Sequence, residues 1–114
     1  MSISHNDAGQ DLRTIVISGR LDVMGTDTVA TRLMELTAAP KKGVVVDLSP
    51  LKFLASVGIR ALITSAKAVQ QRGAKMVLVV RGNSTVMMSL EATGVNELIP
   101  VFDNVADAER AAVG

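Results

Sequence analysis

The sequence predicts one α/β domain over residues 1–114, with a mixed, mostly parallel sheet of four or five strands and about four helices. The length of 114 residues is that of a single domain. Hydrophobic residues make up 48% of the chain and charged residues 20%, which is too apolar for a disordered chain. Short β-branched runs alternate with segments of helical periodicity in the order (β)βαβαβαβα, which favours parallel strands joined by right-handed helical crossovers.

The first two elements predict an antiparallel edge of the sheet. Residues 3–10 are polar and weakly patterned, which suggests a short edge strand. Residues 12–19 contain the continuous apolar run Ile15-Val16-Ile17, which predicts a strand buried on both of its faces. Further core strands are predicted over residues 43–48, 75–80 and 98–102.

The helices are predicted from apolar residues that recur at spacings of three and four. In the first helix this stripe consists of Val29, Leu33 and Leu36, and the longest helix spans Ser56–Gln71. The predicted helix limits are an N-cap at Thr26 and a stop before Pro40, a stop at Gly73, a cap at Asn83 or Ser84 with a stop at Gly94, and a cap at Asp103 or Asn104 with an end near Ala112.

Composition excludes several classes of function. The net charge is +1, from 12 basic and 11 acidic residues, so nucleic acid is not an expected partner. The chain has no cysteine, and its one histidine is His5, so neither a thiolate metal site nor a histidine-based catalytic triad can be built. We therefore expect no catalytic residues, no metal and no cofactor.

The amino-terminal segment lacks the basic start and apolar run of a signal peptide. No apolar run approaches the ~18 residues that a membrane-spanning helix needs. The expected location is therefore the cytoplasm, without direct membrane insertion.

The most informative stretch is the strand, loop and helix start over residues 44–60. Ser56 opens the helix, where its hydroxyl can act as a structural N-cap. Alternatively, Ser56 is a phosphoacceptor, because a helix N-terminus offers N–H donors and the positive end of the helix dipole. Lys52 and Arg60 lie close in sequence, where they either bracket such a phosphoryl group or, as the simpler interpretation, are only solvated.

Two aspartates near strand ends have both structural and functional interpretations. Asp47 resembles the acceptor of a response-regulator receiver, but the acidic cluster that would hold magnesium is missing, which favours a role in pinning the following loop. Asp22 follows Arg20 in a turn, which indicates an ion pair. It would also share a surface with Ser56, because open α/β sheets place their sites at strand carboxyl ends. A Ser56–Lys52 nucleophile pair has no oxyanion motif to support it.

Three blocks of the sequence together resemble the STAS domain, and within it the stand-alone anti-sigma factor antagonists of bacteria. The blocks are IVISGRLDVMGTDTV, VVVDLSPLKFLASVGIRALI and AKMVLVVRGNSTVMMSLEATGVNELIPVF. The first is similar to the family's strand, G-x-[IL]-D turn and helix, and the second to the strand, loop and helix that carry its phosphorylated serine. The resemblance covers nearly the whole chain.

The resemblance implies a partner switch. An unphosphorylated antagonist binds an anti-sigma factor, often a serine kinase, and so releases a sigma factor, whereas phosphorylation breaks the complex and a serine phosphatase restores it. The acceptor would be Ser56, Gly58 would let the helix start pack closely, and Asp22 would lie beside the interface. The full predicted partner surface is Asp22, Met24, Lys52, Phe53, Ala55, Ser56, Val57, Gly58 and Arg60. Such a surface also allows weak homodimerisation.

The sequence departs from the family at both neighbours of the acceptor. Ala55 replaces the usual acidic residue, and Val57 replaces the usual second serine. The alternative is therefore a STAS subunit of an ABC-type phospholipid transporter complex, in which the same surface, more apolar than usual, would pack against the nucleotide-binding subunit.

Overall fold

A computed structural model of the chain describes residues 2–114. The strands are β1 (Ser2–Ala8), β2 (Leu12–Leu21), β3 (Gly43–Asp47), β4 (Leu51–Leu54), β5 (Lys75–Val79) and β6 (Val101–Phe102). The helices are α1 (Val23–Thr37), α2 (Ser56–Gln71), α3 (Ser84–Thr93), α4 (Val95–Leu98) and α5 (Val105–Val113).

The sheet runs in the order β1-β2-β3-β5-β6. β1 pairs with β2 antiparallel, and every other pairing is parallel, which confirms the predicted mixed sheet. Two elements were not predicted from the sequence: the one-turn helix α4 and the strand β4. β4 pairs with the end of β2, beyond the last residue of β2 that pairs with β3.

Most of the core lies between the sheet and the helices α1 and α2. Ile15 and Ile17 of β2 point into this core and are fully buried. The expectation that β2 is buried on both faces was wrong for Val16, which is only half-buried. The physical reason is that α5, which covers the other face, packs mainly on β3 and β5 and meets β2 through Leu12.

Helix caps locate the starts of the helices. α1 begins at its N-cap Asp22 and not at Thr26, which lies buried one turn inside the helix. The carboxylate of Asp22 accepts a hydrogen bond from the Gly25 N–H, one of the backbone N–H groups that have no partner within the helix at its N-terminus. The predicted caps Asn83 and Asn104 are confirmed for α3 and α5.

Within residues 2–114, no helix combines the length and apolar character needed to cross a membrane. In the same part of the chain, no group of three or more His, Cys, Asp or Glu side chains is placed to hold a metal ion.

Candidate functional site

The carboxyl ends of β2 and β4 bring the predicted site residues to one end of the sheet. Arg20 pairs with Phe53 in register, and Leu21 pairs with Leu54. The Ala55 N–H then donates to the Leu21 carbonyl oxygen at 2.9 Å, which places the start of α2 directly beside the start of α1. We call the nine predicted residues at this end the Ser56 surface: Asp22, Met24, Lys52, Phe53, Ala55, Ser56, Val57, Gly58 and Arg60.

Ser56 is the first residue of α2, and its side chain is exposed. The N-cap position is occupied by Ala55 in extended conformation, and no side chain makes a capping hydrogen bond there. The structural interpretation of Ser56 as the N-cap was therefore wrong. The hydroxyl is exposed at the positive end of a 16-residue helix, where an added phosphoryl group would be stabilised.

Gly58 allows the first turn of α2 to pack against the end of β2. A Cβ atom at this position would lie 2.9 Å from Leu21 Cβ, 3.1 Å from the Leu21 carbonyl oxygen and 3.1 Å from Leu54 Cδ1. The first distance is shorter than any ordinary carbon contact, so a side chain would push α2 away from β2. Gly58 thus fixes where Ser56 is presented.

Asp22 joins the turn after β2 to the first turn of α1. Its Oδ1 accepts from the Gly25 N–H at 2.9 Å, and its Oδ2 lies 3.6 Å from Arg20 Nε. The hydrogen bond from Gly25, and then the charge of Arg20, hold the pKa of Asp22 below its usual value. The ion pair expected from the sequence is therefore present.

The lowered pKa of Asp22 predicts a pH dependence of stability. Because the folded-state pKa lies below the unfolded value of 3.8, the carboxylate stabilises the fold fully above that value. This contribution is lost as the pH falls through the folded-state pKa. In urea denaturation, the wild type is expected to exceed Asp22→Asn in stability at neutral pH, and the gap should narrow as the pH falls below the unfolded value of 3.8. A gap that widens on acidification would contradict this linkage.

An apolar and cationic group lies beside Asp22. The Arg20 guanidinium carbon is 4.5 Å from the centre of the Phe53 ring, within cation–π distance. Met24 is 80% exposed, and together with Asp22 and Lys52 it lines a groove of about 380 Å³. Phe53 was predicted to lie in the partner surface and Arg20 to pair with Asp22, but the contact between Arg20 and Phe53 was missed, because the strand that carries Phe53 was not predicted.

Val57 and Arg60 line a different groove, between α1 and α2. Lys52 and Arg60 therefore face two separate grooves.

The loop that leads into β4 is held by two side chains, Asp47 at the end of β3 and Asn83 at the start of α3. Asp47 Oδ1 accepts from the Ser49 N–H at 2.9 Å, which confirms that Asp47 pins the loop after β3. Asn83 Nδ2 donates to the carbonyl oxygens of Ser49 at 3.0 Å and Leu51 at 2.6 Å. The same side chain caps α3 through its Oδ1, which accepts from the Val86 N–H at 3.1 Å. Sequence reasoning identified this cap, but it missed that the Asn83 amide also holds β4.

Comparison with known proteins agrees with this architecture. The family model described as STAS domain matches residues 7–108. Among curated proteins, none matches the chain.

Solved structures share the fold at low sequence identity. An anti-sigma factor antagonist from Mycobacterium paratuberculosis has 23% identity and a TM-score of 0.87, with 99% of this chain and 96% of that chain covered. A STAS domain protein from Planctomyces limnophilus, described as an anti-sigma-factor antagonist, has 18% identity and a TM-score of 0.82, with 98% of each chain covered. The Bacillus cell fate determinant SpoIIAA in its phosphorylated form has 12% identity and a TM-score of 0.71, with 99% of this chain and 100% of that chain covered.

Proposed function

The chain belongs to the STAS domain family, and from this membership we propose that it is an anti-sigma factor antagonist. The observation that carries the proposal is the exposed Ser56 hydroxyl at the start of α2, within a surface of exposed apolar and charged side chains. In this proposal the whole chain, residues 1–114, is one cytoplasmic binding domain and not an enzyme. Structural neighbours described as anti-sigma factor antagonists support the role.

The proposed partner is an anti-sigma factor that is also a serine kinase. The unphosphorylated Ser56 surface docks on this protein, so that the sigma factor is released. The kinase then transfers the γ-phosphoryl group of ATP to Ser56 Oγ, with loss of the hydroxyl proton and release of ADP. A serine phosphatase hydrolyses the phosphoester with water, which releases inorganic phosphate and restores the hydroxyl.

The physical basis of the switch is charge at a docking interface. A phosphoryl group adds about −1.5 to −2 charges at neutral pH. On the exposed helix start, water and the helix dipole stabilise this charge, so the fold tolerates it. In the complex the same charge loses water and meets the partner surface, which weakens docking. A neighbour solved in a phosphorylated form supports a fold that tolerates this modification.

The two departures from the family act on the kinase step. Ala55 provides no negative charge next to the acceptor, and Val57 provides an apolar side chain in place of a hydroxyl. We expect both to favour docking over phosphoryl transfer, because they leave the unmodified surface less charged and more apolar.

The test is affinity capture from the source cells, combined with intact-mass measurement of the protein. The proposal expects a co-purifying anti-sigma factor and a fraction of the chains heavier by one phosphate, with the phosphate mapped to Ser56. Capture of the wild type without any anti-sigma factor, under both growth and stress, would contradict the antagonist role. An anti-sigma factor without phosphate on Ser56 would support docking and contradict the switch.

A second candidate is a STAS subunit of an ABC-type phospholipid transporter complex. The exposed apolar side chains favour it, since Met24 is 80% exposed, Val23 65% and Phe53 36%. The same capture experiment separates the two candidates, because a transporter subunit would co-purify with a nucleotide-binding subunit.

A further inference from the structure

A groove of about 250 Å³ lies between α1 and α2, next to the Ser56 surface. Small side chains on both helices leave room for it, since Ala30 on α1 and Ala61 on α2 both line it. Met34 and Val57 add apolar wall, so the groove is largely hydrophobic. The wall also contains Thr26, whose buried hydroxyl oxygen has no hydrogen-bond partner among residues 2–114.

The size of the groove suits a single side chain. Sites for separate small molecules usually span about 300–1,000 Å³. A groove of about 250 Å³ is smaller than this, and it is open to the surface. Protein interfaces place one bulky apolar anchor in such a depression, where it contributes much of the binding energy.

The positive charge of Arg60 at the edge of the groove indicates which partner group would lie next to the apolar side chain. Arg60 lines the groove and is exposed. Among the described residues no carboxylate forms a salt bridge with Arg60, whereas four other arginines each have an acidic partner: Arg13, Arg20, Arg32 and Arg110. Within residues 2–114, Arg72 and Arg81 also lack a carboxylate partner, but neither lines this groove. An arginine left without a partner beside an apolar groove is complementary to a carboxylate that reaches the groove from outside.

The groove is continuous with the Ser56 surface. Val57 and Arg60 belong to both, and they follow Ser56 within the first turns of α2. On the α1 side, the Thr26 N–H donates to the Asp22 carbonyl oxygen at 2.9 Å, so the groove wall continues directly from the Asp22 cap. A protein docked over Ser56 would also cover the groove.

We propose that the groove between α1 and α2 receives one bulky apolar side chain of the docked partner, and that a neighbouring carboxylate of that partner pairs with Arg60. This inference rests on the proposed function, because it specifies the chemistry of the partner that docks on the Ser56 surface. It commits to a protein partner, and a free apolar metabolite is an outcome that would overturn it.

The first experiment needs no identified partner. Two probes that imitate a leucine side chain, 4-methylpentanoate and neutral 4-methylpentanamide, are titrated into the ¹⁵N-labelled full chain. The amide signals of Ala30 and Ala61 are expected to shift, with weak, millimolar affinity. The carboxylate should bind about threefold more tightly than the amide, since an exposed ion pair adds little.

Two matched variants test whether Arg60 causes the preference for the carboxylate probe over the amide probe. Arg60→Gln should bind the two probes equally, whereas Lys67→Gln, which removes an exposed cation from the same helix outside the groove, should keep the preference. Absence of shifts in the groove, or equal binding of both probes by the wild type, would overturn the proposal. Micromolar binding of either probe would assign the groove to a metabolite and would also overturn it.

The second experiment uses the anti-sigma factor identified by affinity capture. Ala61→Leu fills the groove and is expected to weaken partner binding about tenfold, while Ala68→Leu, on the same helix outside the groove, should not. If the partner binds Ala61→Leu as tightly as the wild type, the groove proposal fails and the antagonist role stands. If the probes bind in the groove but no anti-sigma factor is captured, the antagonist role fails instead.

Discussion

Replacement of Ser56 by glutamate is expected to weaken binding of the anti-sigma partner by on the order of 100-fold. Ser56 is exposed in the free chain, so the added carboxylate costs little there. In the complex the carboxylate would lose water at the centre of the Ser56 surface. The affinity is best measured by calorimetric titration of the purified partner, with circular dichroism to show that the variant is folded.

Two further variants make the Ser56 result specific. Ser56→Ala removes the acceptor without adding charge, so it should retain wild-type affinity while it abolishes the mass increase of phosphate. Val105 is also an exposed first residue of a helix, but α5 lies on the opposite face of the sheet. Val105→Glu should therefore bind normally. An equal loss of affinity in Ser56→Glu and Val105→Glu would mean that charge acts over long range, and the local switch would be refuted.

Replacement of Asn83 by alanine is expected to lower the free energy of unfolding by about 3 kcal/mol. The N-cap of α3 contributes about 1 kcal/mol of this, and each of the two carbonyl groups that lose a donor contributes about 1 kcal/mol. Those carbonyl groups belong to Ser49 and Leu51, which lead into β4. Since β4 carries Lys52 and Phe53, we expect partner affinity to fall as well. Urea denaturation followed by binding assays at low temperature would measure both effects.

Asn104 provides a control of the same chemistry. It caps α5 through its Oδ1, which accepts from the Asp107 N–H at 2.8 Å, but its amide donates only to nearby aspartates. Asn104→Ala should therefore cost about 1 kcal/mol, the value of a lost cap, and should leave partner binding intact. If Asn83→Ala were no more destabilising than Asn104→Ala, the Asn83 amide would not support β4.

Periodicity predicted the fold because each main element carries its own local signal. The Ser56–Gln71 helix has an apolar stripe over four turns, and its predicted bounds match those observed. β4 has only four residues, and its partner is the end of β2, about thirty residues earlier, so its pairing has no local signature. The cap of α1 was misplaced because Thr26 and Asp22 are both good caps, and the pairing of β4 carries β2 on to Leu21.

The candidate site likewise has a part that was predictable from the sequence and a part that was not. The position of Ser56 at a helix start followed from the strand, loop and helix pattern, and its proposed role followed from the family resemblance. The contact between Arg20 and Phe53, and the groove beside Arg60, arise where distant segments meet. Sequence spacing does not report how two helices pack, so neither feature was predictable from the sequence.

The Ser56 surface lies at one end of the sheet, outside the hydrophobic core, and this location has a consequence for how related proteins diversify. Of its nine members, Gly58 is the one that is buried and Asp22 is the cap of α1, so the other seven side chains can vary without repacking the interior or removing a helix cap. Paralogous copies in one cell could therefore keep a common interior and acquire separate partners through changes at this rim alone. Whether each copy binds only its own partner would then depend on a few surface side chains, whereas Gly58 would have to stay in every copy because a side chain there would displace the start of α2.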